Sequence, residues 1–238
     1  MLRVEPRPDP GASPIEARYV RSFLVLRAAI GALGVALPVV LVLVDKLAFH
    51  GTPFPRNSLS AYYYSGMREW FVGTLAATGA FLVGYKVSER NLDNALSGVA
   101  GTAAALIALF PTGRPSPGPP LTPLQDLLGE TAVKIVHFSA SGIFIGALGV
   151  LCVCFGIREG RRPRRPGTRP PEFWRLYHFA CAAAIGLAIV WIVVTWIFGG
   201  PRWSLLLGEW VSAWAFGFSW LLKGLEIDTL LGRQAGAG

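Results

Sequence analysis

An all-α fold, a compact bundle of six transmembrane helices, is what this sequence predicts, and three observations predict it. Hydrophobic residues make up 53% of the 238 residues and charged residues only 15%, too few polar side chains to cover a water-facing surface. Six stretches stay apolar over the roughly 17 to 25 residues that a helix needs to cross the bilayer hydrocarbon. Polar, Pro-rich or Arg-rich breaks divide them.

The elements follow in order. Residues 1–22 mix acids, arginines and prolines and read as a partly disordered cytoplasmic tail. They carry no small-residue cleavage site at a usable distance from the first apolar run, so no cleaved signal peptide is expected. The transmembrane domain takes 23–223, and 224–238 form a second cytoplasmic tail. Span one is Phe23–Val44, with Pro38 inside it, and it ends on Asp45 and Lys46. The loop that follows contains RNSLSAYYYSGMREWF and leads into span two, Trp70–Val87. Span three is Ala95–Phe110, followed by PTGRPSPGPPLTP, whose Pro/Gly content predicts an extended flap. Spans four, five and six are Val133–Ile157, Phe173–Phe198 and Leu205–Leu222.

Charge placement sets the orientation. Arg158, Arg161, Arg162, Arg164, Arg165 and Arg169 crowd the loop 158–172, and Arg3, Arg7, Arg18, Arg21, Lys86, Arg90, Lys223 and Arg233 fall on the same side. The other side has Lys46, Arg56, Arg68, Arg114 and Arg202. The positive-inside bias makes the richer side cytoplasmic, with both termini there and an even number of spans. The net charge of +8 does not point to nucleic acid. Pro163, Pro166, Pro170 and Pro171 prevent a recognition helix in the Arg loop, and no aromatic side chains are interleaved there for base stacking. Attraction to anionic lipid is the expected extra role of that loop.

Small residues recur every fourth position at Ala76, Ala80 and Gly84, at Ala100, Ala104 and Ala108, at Gly142 and Gly146, and at Ala182 and Gly186. Such steps let helices approach closely. They fit a compact bundle, and a homo-oligomer or another membrane-protein partner would use the same kind of face. Cys152, Cys154 and Cys181 lie inside spans and read as small core residues.

An ionisable group inside a span costs at least a few kcal/mol and needs a partner or a task. On span four, Glu130, Lys134, His137 and Ser141 follow steps of 4, 3 and 4, so they share one helical face. His137 lies about 10 Å along the helix from Glu130. On span six, Glu209 and Ser212 are three apart, near the same end. Asp45, Lys46, Arg68 and Glu69 belong to that outer leaflet as well. Together they predict a polar pocket opening outward, roofed by Ser58 to Arg68. His178 sits at the other end beside Trp174 and Tyr177 and reads as an interfacial anchor. Three histidines in all, with His178 on the far side, exclude a three-His metal site. His50 and His137 with Asp45 and Glu209 make a zinc set only on paper. No metal and no cofactor is expected.

NSLSAYYYSGMREWFVGTL before span two, SGVAGTAAALIALFPT in span three, VHFSASGIFIGALG in span four and GEWVSAWAFGFSWLLKG in span six resemble an uncharacterised bacterial family of six-span membrane proteins of unknown function. More distantly, the order of features is similar to the FRAG/DRAM/SFK membrane family. There a Ser-Ile-Ser-type loop precedes the second span, a His lies in the fourth, and a Glu-Trp pair opens the sixth. The resemblance covers roughly residues 20–225 and implies roles for Ser58, Ser60, His137, Glu209 and Trp210, a bacterial cytoplasmic membrane, and lipid handling. Ala61 follows Ser60 where the motif leads one to expect an acid nearby, which weakens any mechanism that needs it. The ceramidase and progestin-receptor superfamily also combines Ser, Asp and His in a bundle, but with seven spans and three zinc-binding histidines that this chain cannot supply.

Two functional classes share the pocket. In the first, a binding or scaffold protein, Arg68 and Lys134 hold an anionic lipid headgroup, Ser58, Tyr62, Tyr64 and Ser212 line the site, and a His137–Glu209 hydrogen bond locks spans four and six. In the second, a lipid acyl hydrolase or acyltransferase, Ser60 is nucleophile, His137 base and Glu209 or Asp45 orienter, although no Gly-x-Ser-x-Gly elbow is present. A small-molecule transporter is a third reading, without the broken-helix pairs expected of one.

Overall fold

A computed structural model describes residues 14–51, 53–84, 92–116, 118–164 and 169–225. Most of the two predicted tails, the end of span two with Lys86, and Arg90 and Arg165 lie outside the described residues. Seven α-helices follow one another: α1 Pro14–Ala48, α2 Arg68–Gly84, α3 Leu92–Leu109, α4 Pro123–Leu128, α5 Glu130–Glu159, α6 Pro171–Phe198 and α7 Ser204–Leu225, with a 3-10 turn at Ser60–Tyr64. Helix α1 therefore begins within the segment expected to be tail.

Local chemistry sets these boundaries. Thr122 caps α4 through a reciprocal box in which its hydroxyl accepts from the Gln125 amide at 3.3 Å and its own amide donates to Gln125 Oε1 at 3.0 Å. Gly129 and Gly199, at φ 84 and 76, take the left-handed backbone that a side chain disfavours. The first starts α5 and the second ends α6, whose own start has Pro171 in the first turn.

Among the described residues five helices are long and apolar enough to cross a membrane, over Leu24–Ala48, Leu92–Leu109, Glu130–Glu159, Pro171–Phe198 and Ser204–Leu222. Helix α2 has 17 residues, about 25 Å at the usual rise, and α4 is a short turn between them. The packing order is a closed ring. Helix α1 lies against α2, α2 against α3, α3 against α5, α5 against α6, α6 against α7, and α7 returns to α1. Two apolar clusters fill it. One is built around Leu41, Tyr62, Phe71, Ala104 and Ile107, the other around Ile30, Leu151, Phe155, Phe216 and Trp220.

The non-helical segments that carry Arg56, Arg114 and Arg202 share one end of the ring. Tyr64 Oη donates to Thr112 O at 2.7 Å, Leu206 N donates to Asn57 O at 3.0 Å, and Arg202 reaches Pro55 O at 3.3 Å. Helix α6 buries the least of its surface, and exposed Leu187, Val190, Trp196 and Ile197 make it the most lipid-facing wall.

Candidate functional site

The loop ahead of α2 is a built roof. Ser58 Oγ accepts from Ala61 N at 3.0 Å, and Ser65 Oγ donates to Tyr62 O at 2.7 Å while accepting from Met67 N at 3.0 Å. Both serines serve the turn itself. Tyr62 is fully buried, with the Arg56 guanidinium 5.6 Å from its ring centre. That guanidinium is held in turn by buried Asp45, at 3.1 Å and 3.5 Å. Tyr63 accepts from Arg68 at 2.6 Å, and Tyr64 accepts from Gln125 Nε2 at 2.9 Å as well as bonding Thr112. Burial raises the Tyr62 phenol above its ordinary range. It does the same for Tyr64 against the opposing bond from Gln125.

Glu209 fastens the roof to α7. Its Oε2 accepts from Leu59 N at 2.5 Å and its Oε1 from Ser60 Oγ at 3.4 Å. Three residues earlier, the first-turn amide of Leu206, with no partner inside its own helix, is satisfied by Asn57 O. Directly inside this junction lies a cavity of about 70 Å³. Leu37, Phe71, Leu75, Ile107, Phe144 and Leu148 form most of its wall, and Ser60, Ser141, Glu209 and Ser212 are its polar residues.

His137, also in the bundle interior at 1% exposure, serves a different contact. Its Nδ1 bonds the Phe110 carbonyl at 2.7 Å, one of the carbonyls left without an intrahelical donor at the end of α3. A carbonyl only accepts, so Nδ1 carries the proton and Nε2 is the lone-pair nitrogen. Among the described residues Nε2 has no hydrogen-bond partner.

The expected His137–Glu209 lock does not form. Imidazole and carboxylate share one end of the bundle, but the main-chain acceptor at Phe110 takes the histidine and the roof amides take the glutamate. Ser60 meets Glu209 and makes no bond with His137. Ser212 lines the cavity, its hydroxyl donating to Gly208 O at 2.8 Å. Arg68 and Lys134 are exposed and do not line it. The Lys134 ammonium lies 6.0 Å from the Phe138 ring. Ser58, Tyr62 and Tyr64 shape or fasten the roof without reaching the cavity wall.

His178 also departs from expectation. It is 2% exposed, not interfacial, and its Nδ1 lies 2.7 Å from Ser219 Oγ, with the Phe155 ring beside it. Two charged groups to which the sequence assigns no role, Arg27 and Asp93, are buried at the opposite end from the roof. Arg27 has its guanidinium 5.5 Å from the Phe155 ring, and Asp93 pairs with Arg158. The cost of an ionisable group within a span was the available signal for Arg27, which falls inside Phe23–Val44. Among the described residues, no group of three or more His, Cys, Asp or Glu side chains is placed to hold a metal ion.

A ring of long apolar helices closed at one end by a hydrogen-bonded loop defines a multi-span integral membrane protein. Within that class, a family model described as "Protein of unknown function (DUF998)" matches residues 32–221. The chain belongs to this family. Neither a curated protein nor a solved structure matches it.

Proposed function

We propose that the protein is a six-span bundle of the bacterial cytoplasmic membrane that holds a membrane lipid at the roofed cavity, as a lipid-binding or lipid-linked scaffold subunit. On this reading α2 is the sixth crossing, the roof faces away from the cytoplasm, and loop 158–172 lies inside with both termini. The observation that carries it is the cavity itself, an apolar chamber within the bundle with a single carboxylate set under a tethered loop. Such a combination suits an amphiphile. The distant resemblance to the FRAG/DRAM/SFK family points toward lipid as well. Arg68 and Lys134, exposed outside the chamber, are available to a phosphate beyond it.

The proposal involves no turnover, because Ser60 Oγ donates to Glu209 and makes no contact with the imidazole, whose Nδ1 is held by Phe110 O. The test is native mass spectrometry of detergent-extracted protein. Wild type is expected to retain lipid. Ser141→Leu, which fills the chamber, is expected to lose it, and Arg68→Ala with Lys134→Ala to weaken it. Lipid occupancy unchanged by Ser141→Leu would overturn the reading.

A further inference from the structure

We propose that the ligand of the cavity is a lipid whose polar end is a primary ammonium, with its N–H groups donating to Glu209. This rests on the lipid-binding reading above and narrows it to one headgroup chemistry. The inventory of polar atoms decides it. The Ser141 hydroxyl donates to His137 O at 2.8 Å, the Ser212 hydroxyl to Gly208 O at 2.8 Å, and the Ser60 hydroxyl to Glu209 itself. Each serine has one O–H to give, so each shows the cavity only oxygen lone pairs.

The remaining lining side chains are hydrocarbon. A carboxylate has about four acceptor positions and no donor; Leu59 N, Ser60 Oγ and the Ser60 amide take up part of them, which leaves room for a ligand donor. With Glu209 ionised, the chamber accepts hydrogen bonds and donates none from its side chains. A phosphate or carboxylate placed there would meet lone pairs and a like charge. A trimethylammonium has the right charge but no N–H.

Charge separates ammonium from hydroxyl. Among the described residues Glu209 has no cationic partner within ion-pair distance. The nearby cations are committed elsewhere, Arg56 to Asp45 and Arg202 to Pro55 O. A carboxylate held inside a bundle without a cation is costly, and a ligand cation that also donates hydrogen bonds removes that cost in the strongest way available.

The experiment uses the full chain reconstituted in vesicles of equimolar phosphatidylethanolamine, phosphatidylcholine and phosphatidylglycerol with matched acyl chains, then extracted for native mass spectrometry. Phosphatidylethanolamine is expected to be retained over phosphatidylcholine by about tenfold, the scale of one hydrogen bond to a charged group. Glu209→Gln, which keeps a carbonyl acceptor for the roof, is expected to bring the ratio near one. Equal retention of the first two lipids by wild type, still abolished by Ser141→Leu, would overturn the ammonium assignment and leave the lipid site standing. Phosphatidylglycerol held as well as phosphatidylethanolamine would overturn it too, in favour of a hydroxyl or the phosphate. Retention of all three unaffected by Ser141→Leu would remove the lipid site and this assignment together.

Discussion

Glu209 concentrates more of the roof's attachment than any other described side chain, so its removal separates the roof's stability from its ligand. Truncation in Glu209→Ala strands the Leu59 amide and the Ser60 hydroxyl, which are bonded to nothing else. Leaving such donors unsatisfied costs about 1–3 kcal/mol. Thermal unfolding followed by tryptophan fluorescence should show this loss in Glu209→Ala and a smaller one in Glu209→Gln. Equal melting of all three proteins would mean that the roof does not depend on the carboxylate.

The tyrosines give a pH signature at the same scale. Burial raises Tyr62 and Tyr64 above the ordinary phenol value of 10.0. Their contribution to stability is thus complete below that pH and is lost as pH rises through the elevated folded-state values. Phenolate absorbance titrations of wild type minus Tyr62→Phe should develop only above pH 10, together with unfolding. A difference appearing below it would contradict the burial. The inward placement of His137 and Glu209 was legible in the sequence because charge in hydrocarbon is expensive. Their separate partners were not. Both involve main-chain groups, Phe110 O and Leu59 N, and side-chain types and spacings carry no record of those.

At the scale of elements, close helix approach was legible as a principle and misplaced in detail. The Ala100-Ala104-Ala108 step is buried as expected, but Ala76, Ala80 and Gly84 are exposed, and a Cβ added at Gly142, Gly146 or Gly186 would meet nothing within 4 Å. One close backbone approach is α1 on α7, where a Cβ at Gly31 would lie 2.5 Å from Leu221 N, an atom of a helix backbone that cannot step aside. A four-residue step marks one face of a helix without saying whether that face looks inward. Gly31→Ala should therefore lower the melting temperature, while Gly142→Ala, in open space, should leave it within the range of surface substitutions. Similar losses from both would contradict the α1–α7 packing.

The Asp93–Arg158 pair joins α3 to α5 at 1% and 11% side-chain exposure. Removing the acid alone in Asp93→Ala takes the counter-charge from a largely buried guanidinium and should lower stability, by up to about 3–5 kcal/mol. The double change with Arg158→Met should recover part of it, as happens when a buried pair is replaced by apolar side chains.

For the whole molecule, the decisive quantity is the number of crossings, and it turns on α2. Tyr64, just before α2, bonds Thr112, just after α3, so α2 and α3 together leave one end of the ring and come back to it. Helix α3 is long and apolar enough to cross, and a chain that returns to its starting end must cross an even number of times. On the six-span reading proposed above, α2 supplies the other crossing. At 17 residues it covers about 25 Å of a hydrocarbon layer near 30 Å, a deficit met by local thinning and by flanking polar residues reaching for the interface. Arg68 and Glu69 at its start are placed for that. In a cysteine-less background, Ser116→Cys should then be labelled in intact cells by a membrane-impermeant maleimide, whereas Leu92→Cys, at the exposed start of α3, and Arg164→Cys should react only after permeabilisation. Labelling of Leu92→Cys from outside would put both ends of α2 on one face of the bilayer. Because Tyr64 and Thr112 are bonded at one end, neither α2 nor α3 would then cross, and four crossings would remain.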